Sequence, residues 1–171
     1  YAPGFHKKTR RGPSSEYGRQ LAAKQGLKRI FDVRERQFKG YIKEAMRRKG
    51  DARENLIDIL ERRLDNVVFR SGLAKSRPAA RQLVSHGNVL VNGKRVNIAS
   101  YQVKNGQIVA LKEKIKKSKL MENLGASLKK YNSPAWLALD REKIESKIVS
   151  SPTIDDYNLS EIGMIIEFYS R

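Results

Sequence analysis

Arg63-Leu64-Asp65-Asn66-Val67-Val68-Phe69-Arg70 is followed by Ser76-Arg77-Pro78-Ala79-Ala80-Arg81-Gln82-Leu83-Val84-Ser85-His86-Gly87 and then by Val89-Leu90-Val91-Asn92-Gly93-Lys94-Arg95-Val96. The punctuation decides how this stretch folds. Ser76 is a favoured helix N-cap, Pro78 is tolerated in a first turn, and Gly87 can stop the helix that carries Ala80, Leu83 and Val84. Asn92-Gly93 supplies two residues that accept positive φ, as a two-residue hairpin turn requires. The stretch therefore predicts helix, helix and basic hairpin, with Lys94 and Arg95 at or just past the tip. Arg77 and Arg81 stand four residues apart, so they share a helical face. Both guanidinium groups are expected to reach one phosphate strand while Leu83 and Val84 enter the core.

Upstream, Phe38, Tyr41, Ile42, Ala45 and Met46 recur at helical spacing and predict an amphipathic helix from Glu35 to Gly50. Arg47, Arg48 and Lys49 would occupy its last turn, with Gly50 left-handed just beyond. Asp51 and Glu54 are spaced as in a capping box, and Leu56, Ile57, Leu60, Leu64 and Val67 carry a helical stripe to about Phe69. One helix, straight or bent, is thus expected to run into the opening stretch. Residues 1–13 have no apolar period and several breakers, which predicts an extended arm.

Downstream, Asn105-Gly106 repeats the hairpin signal, so Tyr101-Gln102-Val103 and Gln107-Ile108-Val109-Ala110-Leu111 are expected to pair as strands. The basic tract at 112–119 reads equally as a solvated helix start or a phosphate contact. Leu120, Met121, Leu124 and Leu128 make a helical stripe, Trp136 to Asp140 and Lys143 to Val149 read as short strands, and Asp155-Asp156 marks a loop. Residues 162–171 are too apolar for an unattached tail and are expected to dock on the N-terminal helices. The fold class is α+β. A helical domain of residues 1–60 is completed by 155–171, and an RNA-binding domain of short helices and a small antiparallel sheet (61–154, core module 63–111) is inserted between them.

The 171 residues carry 36 basic and 18 acidic side chains, a net charge of +18. Solubility needs a magnitude of only about 2–8, so the excess implies a polyanion bound by phosphate neutralisation. Residues 1–50 hold 15 basic and 4 acidic groups, 51–100 hold 9 and 5, and 101–171 hold 12 and 9, which puts the electrostatic centre in the first third. No run of eighteen apolar residues and no leader pattern is present, so an intracellular setting without a membrane is expected. The chain begins at Tyr1 rather than Met, which leaves room for residues before it. Cysteine is absent, which excludes disulfides and thiolate metal sites within these residues. No nucleophile motif, glycine-rich phosphate loop or histidine metal spacing occurs. Asp58, Glu61 and Asp65 interleave with Arg62 and Arg63, as in an ion-pair lattice rather than a metal-dependent nuclease. The chain is read as a non-enzyme with no cofactor and no metal.

Ala2-Pro3-Gly4-x-His6, Tyr17-Gly18-x-Gln20-Leu21-x-x-Lys24-Gln25, Glu35-Arg36-Gln37-Phe38, Arg63 to Val68, Ala80-Arg81-Gln82-Leu83-Val84-x-His86, Val91 to Val96 and Glu167-Phe168-Tyr169-Ser170-Arg171 stand in order along the chain. Together they resemble the bacterial-type ribosomal protein four family of the small subunit. The two-helix-and-hairpin module alone is shared with RNA-modifying enzymes and a heat-shock RNA binder. The resemblance implies a primary binder of small-subunit ribosomal RNA that nucleates assembly of the subunit body at a helical junction. It also implies contact with ribosomal protein five, at an interface linked to decoding accuracy, and a place beside the channel through which messenger RNA enters. That last role is carried only loosely onto Lys7, Lys8, Arg10 and Arg11. Some relatives bind zinc through N-terminal cysteines; here that site is absent or lies before Tyr1. The runner-up reading is a stand-alone stress protein that binds ribosomes or RNA with the same module.

An A-form junction offers phosphate spacing and shape more than readable base edges. Arg36, Arg77, Arg81 and Arg95 are therefore expected to make forked phosphate contacts or stack on bases, and Lys24, Lys39 and Lys94 to act as point charges. Tyr17 is a candidate stacking platform, whereas Tyr41 lies on the apolar stripe and reads as core. His86 is expected to bond phosphate or a helix end. Arg19, Lys28, Arg29 and Gln37 complete the expected RNA-contact set.

Overall fold

The computed structural model describes residues 15–118, 124–152, 154 and 157–170. Helix α1 (Glu16–Phe31) starts at Ser15, whose hydroxyl accepts from the Gly18 amide at 3.1 Å, and ends at Asp32 in the left-handed region (φ 49°). Helices α2 (Glu35–Arg47) and α3 (Ala52–Glu61) follow. Phe38, Ile42 and Ala45 of α2 face Leu56, Ile57 and Leu60 of α3, all essentially without solvent exposure. Helix α8 (Leu159–Ser170) closes this core with Ile162 and Ile165 and lies along α1, with further contacts to α3 and α2. The last residues therefore do dock on the N-terminal helices, as their apolar character predicted. Each large aliphatic side chain so buried contributes about 1.5–3 kcal/mol.

The second core joins α4 (Leu64–Arg70), α5 (Arg77–Ser85) and α7 (Leu124–Lys130) to one face of a five-stranded sheet. Its strands are β1 (Val89–Val91), β2 (Lys94–Val96), β3 (Ile108–Leu111), β4 (Leu137–Asp140) and β5 (Glu145–Ile148), in the spatial order β2-β1-β3-β5-β4 with every pair antiparallel. Val89, Val91, Val109, Leu111, Leu137 and Ile148 enter this core with Trp136. Asn92 and Gly93 both take positive φ (47° and 77°) between Val91 and Lys94, as the hairpin demands. Asn92 also ties the turn to β3, because its side-chain oxygen accepts from the Ile108 amide at 2.8 Å. Ser76 caps α5 by accepting from the Ala79 amide.

Four expectations are corrected. The apolar stripe from Leu56 to Val67 is not one helix: α3 ends at Glu61, and Arg63 is extended and bridged to Gln102. Periodicity persists because both helices bury one face, but the chain turns between them. The first amides of α4 have no intrahelical partner; Leu64 donates to the Tyr101 carbonyl at 2.9 Å and Asp65 to the Ala99 carbonyl at 3.2 Å. That engagement explains the second correction. Tyr101 to Val103 does not pair with β3 but closes over the α3–α4 joint, where the Val103 amide donates to the Arg62 carbonyl at 2.9 Å, while β3 pairs with β1 and β5.

Third, α2 stops at Arg47, so Arg48 and Lys49 lie beyond its last turn. Gly50 is left-handed (φ 99°) but does not cap the helix directly. Instead the Asn55 amide group donates to the carbonyls of Ala45, Arg48 and Lys49. Fourth, Asp51 caps α3 by accepting from the Arg53 amide at 2.8 Å, and the Arg53 guanidinium also donates to its carboxylate, so Arg53 completes the cap in place of a Glu54 bond back to the Asp51 amide. The basic tract forms the short helix α6 (Glu113–Lys116). The arm at 1–13, Lys119, Leu120 and Met121 and the Asp155-Asp156 loop lie outside the described residues.

Candidate nucleic-acid interface

Burial of Phe38, Ile42 and Ala45 turns the opposite side of α2 outward. Arg36, Lys39 and Lys43 stand there at helical spacing, all exposed, and Arg34 just before the helix is exposed too. Gln37 is half-buried beside them. Arg19 and Arg29 are exposed on α1, and Tyr17 is 58% exposed with its ring 5.6 Å from that of Phe168. Lys43 and Arg34 were missed in the sequence reading, although Lys43 lies one helical turn beyond Lys39 and a helical wheel would have found it.

A second cationic surface lies on the hairpin. Lys94 and Arg95 are exposed on the edge strand β2. A Cβ built on Gly87 (φ 67°) would fall 2.1 Å from Arg95 Nε, so the bare backbone of the α5 stop residue is what lets this guanidinium lie flat. His86, next to it, is exposed at the end of α5.

Two expected contacts are held elsewhere. Lys24 is 7% exposed; its Nζ lies 3.2 Å from Glu35 Oε1 and 4.6 Å from the Phe168 ring centroid. Lys28 Nζ lies 2.5 Å from Glu35 Oε2, and the Tyr169 hydroxyl donates to the same carboxylate. These donors, Lys28 foremost, then Tyr169 and Lys24, hold the Glu35 carboxyl down to about 2. The cluster fastens the C-terminal helix to α1 and α2.

Helix α5 does place Arg77 and Arg81 on one face, but that face is turned towards α1 and α4. Arg77 Nε donates to Asn66 Oδ1 at 2.9 Å, and its guanidinium sits 5.0 Å from the Phe31 ring centroid and 4.6 Å from that of Phe69. Burial lowers its pKa from the ordinary arginine value. Arg81 Nη1 donates to the carbonyl and the carboxylate of Asp32, each at 2.5 Å, and its Nε lies 3.3 Å from Asp65 Oδ2. Arg63, wholly buried, donates to both Asp65 oxygens and, at 2.6 Å, to the Tyr41 hydroxyl. Arg70 pairs with Glu61 and donates to Tyr157. Tyr41 is thus a packed, hydrogen-bonded residue. Lys7, Lys8, Arg10 and Arg11 lie outside the described residues.

Among the described residues no group of three His, Asp or Glu side chains is placed to hold a metal ion, and no helix is long and apolar enough to cross a membrane. Exposed cations on α1, α2 and the hairpin can neutralise a phosphate backbone at separated points, the action of a polyanion-binding protein. The two-helix-and-hairpin unit places it in the S4-domain class: the S4 domain family model matches residues 62–109, and that of the ribosomal protein S4/S9 N-terminal domain matches residues 1–61.

Full-length similarity narrows the class. The chain is 46% identical over 172 residues to the small ribosomal subunit protein uS4 of Natranaerobius thermophilus, a match that covers 100% of this chain and 82% of that protein. It is 47% identical over 173 residues to that of Chromobacterium violaceum (99% and 82%) and 45% identical over 172 residues to that of Acinetobacter baumannii (99% and 82%). The chain belongs to the small ribosomal subunit protein uS4 family.

Proposed function

We propose that this chain is a structural, non-enzymatic constituent of the small ribosomal subunit that binds ribosomal RNA directly, in the cytoplasm. The full-length kinship with uS4 proteins carries this reading, and two exposed cationic surfaces on separate cores support it. The narrow A-form major groove leaves phosphates, 2′-hydroxyls and unpaired bases as the readable features. Arg19, Arg29, Arg36 and Lys39, with Lys94, Arg95 and His86 on the hairpin, suit phosphates, and Tyr17 suits a base. Its two bodies are residues 1–60 with 155–171, and 61–154.

The finer role follows the family. The chain nucleates assembly of the subunit body at a helical junction, contacts ribosomal protein five, influences decoding accuracy, and brings Lys7, Lys8, Arg10 and Arg11 to the messenger channel. A stand-alone stress binder would account for residues 63–111 but not for similarity along the whole chain. Footprinting of the purified protein on naked small-subunit RNA is expected to protect one compact junction. Equal affinity for an unrelated duplex at moderate salt would overturn this function.

A further inference from the structure

We infer that Arg63, Arg70, Arg77 and Arg81 are positioning residues for RNA binding: they clamp the two bodies at one spacing and so set the distance between the α2 and hairpin cations, instead of meeting phosphate themselves. This role rests on RNA being the ligand.

All four stand on the inserted body, Arg63 at the α3–α4 joint, Arg70 at the end of α4 and Arg77 and Arg81 on α5, and each reaches a group of the helical body. Arg63 reaches Tyr41 of α2, and Arg81 reaches Asp32 at the end of α1. Arg77 lies between the Phe31 ring of one core and the Phe69 ring of the other. Arg70 reaches Tyr157, whose ring stacks 6.2 Å from Phe31.

The carboxylates they hold cannot be abandoned cheaply. Glu61 is 1% exposed and Asp65 5% exposed, and a buried carboxylate left without its cation is strongly unfavourable. Turning Arg63, Arg70 or Arg81 outward to phosphate would strip partners from one or both. Among the described residues, Asp32, Glu61 and Asp65 lie against the arginines and offset much of their charge, which weakens the field this joint projects. The exposed cations of α2 belong to one of the two bodies that these arginines connect, and those of the hairpin to the other. Two binding surfaces held at a matched distance act as one bivalent ligand, and loosening their spacing reduces affinity without removing any contact.

The test uses the intact chain carrying Asp32→Asn together with Tyr41→Phe, neither of which removes a positive charge. Affinity for a small-subunit RNA fragment spanning the protected junction is expected to fall about tenfold with an unchanged salt slope, although net charge rises by one, while binding to a short unrelated duplex does not weaken. Tighter binding to the fragment would mean that Arg81, released from Asp32, meets phosphate, and would overturn the inference.

Because the sequence has no cysteine, Met46→Cys and Ile98→Cys, at sites 45% and 58% exposed, accept spin labels cleanly. Their distance distribution is expected to broaden in the double variant without RNA; an unchanged distribution would overturn the clamp. A parent chain with no preference for small-subunit RNA would overturn the RNA role, while the distance result would still report on the clamp by itself.

Discussion

Arg63 Nη2 stands 2.6 Å from Asp65 Oδ2, with the two side chains 0% and 6% exposed. Two residues of one short string thus neutralise each other inside the protein. Burial alone would depress the Arg63 pKa, yet the bonds and charge of Asp65, with Tyr41 beside them, outweigh it and hold the group above the ordinary arginine value. Arg63→Ala leaves Asp65 buried beside a lost partner and is expected to destabilise by about 3–5 kcal/mol in urea denaturation. Arg63→Met with Asp65→Leu is expected to cost less than that single change, because no buried charge is stranded.

Lys94→Ala and Lys43→Ala, on different bodies, are each expected to lower the slope of log affinity against log salt by about 0.7–0.9 for every phosphate contact removed. RNA titrations at four salt concentrations measure it. An unchanged slope for both would remove these surfaces from the interface.

Glu35 has a folded-state pKa near 2 against an ordinary 4.5. A depressed carboxyl contributes stability above its unfolded value, and that contribution is lost as pH falls from about 4.5 towards 2. Acid titration followed at Tyr169 should therefore show the C-terminal helix loosening in that window. Tyr157 and Tyr169 behave oppositely: burial first, then the adjacent Glu61 or Glu35, raises both phenols above the ordinary 10.0. Their contribution is present below pH 10 and lost as pH rises through the folded values, so circular dichroism should detect alkaline destabilisation beginning near pH 10.

Gly87→Ala puts a Cβ in the left-handed region, 2.1 Å from Arg95 Nε. The backbone is expected to cost about 1–2 kcal/mol in thermal unfolding. Arg95 must also swing away, so RNA affinity should fall about as far as in Arg95→Ala.

The local elements were legible because each rests on chemistry within a few residues. Ser76 and Gly87 bound α5, and Asn92-Gly93 turns the hairpin whichever protein contains it. Binary periodicity failed at the α3–α4 joint because a broken helix and a continuous one bury the same stripe. Hydrogen bonding from Ala99 and Tyr101, more than thirty residues away, is what permits the break. The exposed cations of α2 could be read from spacing alone, whereas Lys24 and Lys28 could not be told from surface lysines until Glu35, Phe168 and Tyr169 were placed around them.

By itself the sequence determined the charge, the α+β class, the docking of the last helix and the family, since composition, periodicity and motif order are properties of the chain. Only the tertiary structure decided which cations face outward. Arg77, Arg81 and Arg95 are alike as residues, but a guanidinium set over two rings or on an aspartate from another helix differs from one on an edge strand. That difference comes from long-range packing, which brings a ring or a carboxylate of another helix within about 5 Å of Arg77 and Arg81 and leaves Arg95 exposed on an edge strand.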